Sequence, residues 1–186
     1  MEHLRKTIEN VKFTFHENGQ VETESWFKSI NITRTDGPAF VEYNNCGLYI
    51  SEEWYIDGEL HRVDGPAVVK HNLNEYTNNE RVLDKKLWYK HGKLHRVGGE
   101  PAVELHYVTG SLLMYGWYEH GEYHRSDEDE PAIITYHRNG QTKSMQWITH
   151  GKLHRVDGPA SVSYHEDGLL KYEEWYEHGK IMHLCR

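Results

Sequence analysis

The stretch Trp54-Tyr55-Ile56-Asp57-Gly58-Glu59-Leu60-His61-Arg62-Val63-Asp64-Gly65-Pro66-Ala67 returns later in the chain as Trp147-Ile148-Thr149-His150-Gly151-Lys152-Leu153-His154-Arg155-Val156-Asp157-Gly158-Pro159-Ala160. Ten of the fourteen letters are shared, and they include the residue types that constrain a backbone most: Trp, Gly and Pro. A segment that recurs in this way is a structural unit, and the rest of the chain can be tested for further copies.

The copies are present. Trp26, Trp54, Trp88, Trp117, Trp147 and Trp175 are spaced by 28, 34, 29, 30 and 28 residues. Pro38, Pro66, Pro101, Pro131 and Pro159 each fall once between consecutive tryptophans, and Arg34, Arg62, Arg96, Arg125 and Arg155 each stand eight residues after one. The repeat is thus about 28 residues long. It gives five to six units over 13–186, with 1–12 set apart as a short N-terminal cap open to a helical reading. Irregularities are local: an insertion over 72–80, Gly98-Gly99-Glu100 before Pro101, and Ser126-Asp127-Glu128-Asp129-Glu130 before Pro131.

Within a unit the period is two, which is the signature of strands. Ala39, Val41 and Tyr43 recur in the same order as Ala132, Ile134 and Tyr136 and as Ala160, Val162 and Tyr164, placing a small, a branched and an aromatic side chain on one sheet face. Trp54 and Tyr55, as neighbours in an extended segment, are expected on opposite faces. Asp57-Gly58, His91-Gly92, His120-Gly121, His150-Gly151 and His178-Gly179 supply a glycine suited to hairpin turns at one end of the unit. Asn18-Gly19, Asn139-Gly140 and Asp167-Gly168 do so at the other. Two main strands per unit make the chain all-β: an elongated, single-layer antiparallel β-meander of about a dozen strands, whose units bury their apolar faces only against neighbours.

The unit Trp-Tyr-x-x-Gly-x-Leu-His-Arg-x-Asp-Gly-Pro-Ala resembles the MORN repeat, specifically the longer MORN-like variant of large DNA viruses, phages and bacteria. The likeness runs from about Phe13 to Arg186 and is carried by an aromatic, a hairpin glycine and a following histidine, as in Trp147-Ile148-Thr149-His150-Gly151-Lys152-Leu153-His154. The common MORN unit is shorter and has His-Gly where this chain has His-Arg-x-Asp-Gly-Pro. The resemblance implies a hairpin array used for scaffolding and protein contacts, without catalytic activity. It also implies a viral or phage protein acting on host components in the host cytoplasm, or a small virion component.

Composition narrows the partners. The 186 residues carry 21 basic and 29 acidic side chains, a formal charge of -8, which opposes the clustered Lys and Arg that a phosphate backbone or acidic lipid surface requires. No apolar run is long enough for membrane insertion. The start Met1-Glu2-His3-Leu4-Arg5-Lys6-Thr7-Ile8-Glu9-Asn10 lacks the apolar core of a secretory leader, so a cytoplasmic location is expected. Cys46 and Cys185 form neither a disulfide framework nor a zinc pair. Six Trp, 13 Tyr and 4 Phe mark a chain that folds.

His61-Arg62-Val63-Asp64 and His154-Arg155-Val156-Asp157 are the first places to look for acid-base chemistry. A set present in several copies, however, reads as a structural device, with Arg62 and Arg155 paired to Asp64 and Asp157 or stacked on an aromatic ring, and the histidine bonded to backbone. The same holds for the six tryptophans. His91, His120, His150 and His178 could stack as a ladder between units, a weak adventitious metal site rather than a zinc centre. Asp127-Glu128-Asp129-Glu130 lacks the spacing of a calcium loop. Neither a nucleophile elbow nor a phosphate-binding glycine motif occurs. No catalytic residue, cofactor or metal is expected.

The leading expectation is a non-enzymatic module for protein partners. Tyr55, Tyr89, Tyr118 and Tyr176, each following a Trp, form its aromatic stripe or else cover the second sheet face. Glu75 and Tyr76 sit in the insertion, which reads equally as a binding loop or as neutral lengthening of a tolerant turn. The alternative is a small-ligand site or enzyme in a groove where His95, Arg96, His124 and Arg125 meet the acidic turn. Open sheet edges also allow end-to-end assembly in place of a monomer.

Overall fold

The computed structural model describes residues 11–74, 80–125, 127 and 129–182; residues 1–10 of the N-terminal cap, Glu75, Tyr76 and Cys185 lie outside them. Val11 and Lys12, grouped with the cap above, belong to the first strand. All described regular structure is β, with no helix among these residues. None therefore offers a helix long and apolar enough to cross a membrane.

The chain divides into two compact units, Met1–Lys93 and Leu94–Arg186. In the first, Val11–Phe15, Val21–Lys28, Phe40–Tyr43, Tyr49–Glu53, Val68–Asn74 and Glu80–Leu87 pair antiparallel in chain order. In the second, Val103–His106, Leu112–Gly116, Ile133–Tyr136, Thr142–Gln146, Ser161–Tyr164 and Leu170–Glu174 do the same. The meander of consecutive hairpins read from the period of two is the architecture of both.

Five main hairpins close through a glycine at positive φ, such as Gly47 at 80° and Gly140 at 85°; the lengthened one, between Asn74 and Glu80, has no glycine in its connection. The Gly47 N–H donates to the Asn44 carbonyl and the Asn44 N–H to the Leu48 carbonyl, a longer turn with a glycine bulge rather than a two-residue loop. A second bulge lies four residues before every tryptophan. It shows as a register slip after Thr14, Glu42, Lys70, Leu105, Thr135 and Ser163. Such bulges raise the local twist and re-aim the strand toward the tryptophan.

Except at Trp26, which lies inside Val21–Lys28, the chain leaves the sheet at the tryptophan. Trp54 is in no strand: its N–H donates to the Ala67 carbonyl and its own carbonyl accepts from the His61 N–H. Trp26, Trp117 and Trp147 likewise donate to Ala39, Ala132 and Ala160. The uninterrupted extended reading through Trp54 and Tyr55 therefore stops at Glu53. Beyond the tryptophan the chain forms a separate minor hairpin, Tyr55–Ile56 paired with Glu59–Leu60, and then the loop that returns to the next main strand. Tyr118–Glu119 with Glu122–Tyr123, Ile148–Thr149 with Lys152–Leu153, and Tyr176–Glu177 with Lys180–Ile181 repeat it.

The core sits where main strands meet these corners. Ala39, Ala67, Ala102, Ala132 and Ala160 are all 0% exposed, and Val41, Val68, Val103 and Val162 are buried beside them in sequence. No large side chain among the described residues is fully buried. Space at the corner admits a methyl group, which explains why Pro is followed by Ala in every unit. The 72–80 insertion lengthens one main hairpin, with Asn72 opposite Val82 and Asn74 opposite Glu80.

Candidate functional site

Each returning loop is built round its arginine. The Arg62 guanidinium lies 3.8 Å from the Trp54 ring centroid, and those of Arg34, Arg125 and Arg155 lie 4.3, 4.0 and 3.9 Å from Trp26, Trp117 and Trp147. Nη1 of Arg62 donates to the Pro66 carbonyl at 3.3 Å and Nε to Asp64 at 3.2 Å. Arg34 repeats this with Pro38 and Asp36, and its guanidinium holds the Asp36 carboxyl below the usual range by hydrogen bonding and by charge. On the other side of the guanidinium is glycine: a Cβ on Gly65 would stand 2.8 Å from Arg62 Cζ, and Gly37 and Gly158 are alike at 2.9 Å. Arg34 and Arg62 therefore sit between an indole and a glycine, tied at the rim by carboxylate and carbonyl, and Arg155 sits likewise with the Pro159 carbonyl at its rim.

Irregular loops keep the arginine's bond to the proline carbonyl and lose the glycine against its guanidinium. Arg96 and Arg125 still reach the Pro101 and Pro131 carbonyls. Glu130, from the acidic turn, replaces the usual aspartate on Arg125. The extra residues also cover the next tryptophan. Trp117 Nε1 donates to the Gly99 carbonyl at 2.8 Å and Trp147 Nε1 to the Asp129 carbonyl at 3.0 Å, and both rings are buried.

Histidines join one minor hairpin to the next. The N–H of His91 donates to Nδ1 of His61 at 3.2 Å, and those of His120, His150 and His178 donate to Nδ1 of His95, His124 and His154 at 3.4, 3.4 and 3.3 Å. The paired rings lie face to face or tilted, with centroids 4.4, 4.9, 4.5 and 4.2 Å apart. The turn histidines thus pair with the inner histidine of the preceding repeat rather than with one another. Among the described residues no group of three or more His, Cys, Asp or Glu could hold a metal ion. At the first junction Thr33 Oγ1 does the accepting, from the Asp57 N–H at 3.1 Å.

The second unit gathers His95, Arg96, His124 and Arg125 around an open pocket of about 260 Å³, with Glu100, Glu119 and the Trp117 ring also in its wall. Glu119 reaches His124 Nε2 at 3.4 Å. Gly98 and Gly99, at φ of 92° and 80°, open this loop.

Against family models, curated proteins and solved structures, the chain has no match.

Tyr55, Tyr89, Tyr118 and Tyr176 open minor hairpins, with Ile148 in the equivalent place between the last two, and all four tyrosines are half-buried. The Tyr55 hydroxyl donates to Glu53 at 2.6 Å and that of Tyr176 to Glu174 at 3.5 Å. Burial, then the Glu53 carboxylate, pushes the Tyr55 hydroxyl above its ordinary pKa, and burial does the same to Tyr89. Tyr118 packs on Tyr123 at 4.0 Å. The most exposed apolar side chains lie elsewhere: Ile30 is 90% exposed, and at the loop tips Val63 is 90%, Val97 73% and Val156 70% exposed. Sequence reasoning passed over these valines, although their place between Arg and the turn, where no strand period protects them, was visible.

Proposed function

We propose that this chain is a non-enzymatic, MORN-like repeat protein that serves as an interaction module or scaffold for a protein partner. In keeping with the resemblance, it acts as a viral or phage protein toward host components. The observation that carries the reading is that the repeated polar groups are consumed internally. Arg62 and Arg155 are held by indole and proline carbonyl, and His61, His95, His124 and His154 spend Nδ1 on backbone. A repeated, internally satisfied set is a way of building a surface, and catalysis wants one convergent constellation. Half-buried tyrosines at equivalent places fit the rigid aromatic anchors common at protein interfaces.

The test is affinity capture from host lysate beside a variant with Tyr55, Tyr89, Tyr118 and Tyr176 all changed to Ser, its fold checked by circular dichroism. A specific partner lost only with the folded variant supports the module and its stripe. A partner retained moves the contact to the loop-tip valines or the insertion, and no partner at all counts against the module.

A small-ligand site is the second reading, favoured by the pocket lined by His95, Arg96, His124 and Arg125. A fragment screen followed by histidine ring signals would support it if perturbations cluster on His95 and His124 and vanish in Arg96→Ala. Scattered perturbations would sink it.

A further inference from the structure

We propose that the four histidine pairs are pH-sensitive joints between successive minor hairpins, closed while the inner ring is neutral and released when its Nδ1 takes a proton. The accepting nitrogen decides the state of the ring. At His61, His95, His124 and His154 a backbone N–H is accepted through Nδ1, so that nitrogen carries a lone pair and the ring is the neutral Nε2–H tautomer. Protonation converts the acceptor into a donor facing another donor. It also places a charge against a second imidazole 4.2 to 4.9 Å away, so that once both rings are charged the pair repels.

The charged groups around the pairs act in both directions. Lys90 adds to the repulsion at His61, while Glu59 opposes it and lies 4.0 Å from His91 Nδ1. Glu119 reaches both His120 and His124, at 3.9 and 3.4 Å, and lines the same pocket as His95, Arg96 and Glu100. Glu122 lies near Gly151, beside His150, and Lys152 near Gly179, beside His178. Glu119 meets the inner His124 at Nε2, which leaves Nδ1 to the His150 amide.

Burial, and then the neighbouring His91, lowers the His61 pKa. The folded state therefore binds that proton less readily than the unfolded chain. The stabilisation is whole above the ordinary histidine pKa of about 6.5 and declines as pH falls below it. The protein contains its own non-titrating version of the joint: Thr33 Oγ1 accepts the Asp57 amide where later repeats use histidine. The main strands are held instead by backbone-to-backbone pairing, so release loosens the minor hairpins first.

Ring nitrogen shifts at about pH 8 and amide exchange from about pH 8 to about pH 5 test this in the intact chain. The inner rings are expected as Nε2–H tautomers. Protection of the His91, His120, His150 and His178 amides, corrected for intrinsic exchange, is expected to fall roughly tenfold or more relative to Asp57, with the main-strand amides away from His71 and His106 unchanged. An Nδ1–H tautomer, or an equal fall at Asp57, overturns the proposal. The combined His61→Thr, His95→Thr, His124→Thr, His154→Thr variant should lose the pH dependence. A folded variant that keeps it overturns the proposal as well, and if the variant does not fold, the wild-type measurement decides.

Discussion

The glycine of Arg-x-Asp-Gly-Pro has a job at the residue scale that turn propensity alone does not reveal. Gly37, Gly65 and Gly158 are not among the positive-φ positions; they are glycine because a guanidinium occupies the place of their Cβ. Gly65→Ala should therefore cost about 1–3 kcal/mol, as overpacking does, measured by urea unfolding. The cost should shrink toward zero in an Arg62→Ala background, where the obstructing group is gone. A double-mutant cycle with no coupling would contradict the sandwich. The sequence made part of this legible. Arginine at a fixed distance from tryptophan suggested a stack or an aspartate pair, and both occur at Arg34 and Arg62. The glycine floor was hidden, because Asp-Gly-Pro is also an ordinary turn, and only coordinates separate a glycine chosen for φ from one chosen for space.

Turn chemistry governs the element scale. In the minor hairpins both central residues take positive φ, as with Asp57 at 51° and Gly58 at 88°, the two-residue geometry that matches strand twist. Histidine fills the first position at 91, 120, 150 and 178, bearing left-handed strain in return for the joint with its neighbour. The first repeat departs from this: Ser29 has φ 59° and is followed by Ile30, 90% exposed. Ser29→Gly should relieve part of that strain, raising stability by up to about 1 kcal/mol in a thermal melt. The swollen loops make another element, since each covers a buried tryptophan. Trp117→Phe should cost about 1 kcal/mol for the lost indole bond to Gly99, beyond the change in packing. Deleting Gly99 should speed exchange of the Trp117 indole proton, and an unchanged rate would mean that the loop is no lid. Strand order and hairpin turns were legible because their period and glycines are local. The minor hairpins were legible only as turns, at Asp57-Gly58 and its counterparts, since nothing in an extended Trp-Tyr pair announces that the chain leaves the main sheet there.

On the scale of the whole molecule the balance of charge decides behaviour in solution. The formal charge is -8 with histidine neutral, and fifteen histidines can carry it to +7 without any carboxylate changing state. The sequence pI is about 6.0, inside the range where histidines titrate, so the change of sign is steep there. Repulsion between copies is weakest near that point, when the exposed valines Val63, Val97 and Val156 are least shielded by like charge. Solubility, followed by precipitant titration, should pass through a minimum close to pH 6.0 and recover on both sides, at low salt most sharply. Replacing the three valines by Thr should shallow that minimum without moving its position, since charge sets where it falls and apolar surface sets how deep it is. A minimum that moved with the valines would place its origin in a change of fold.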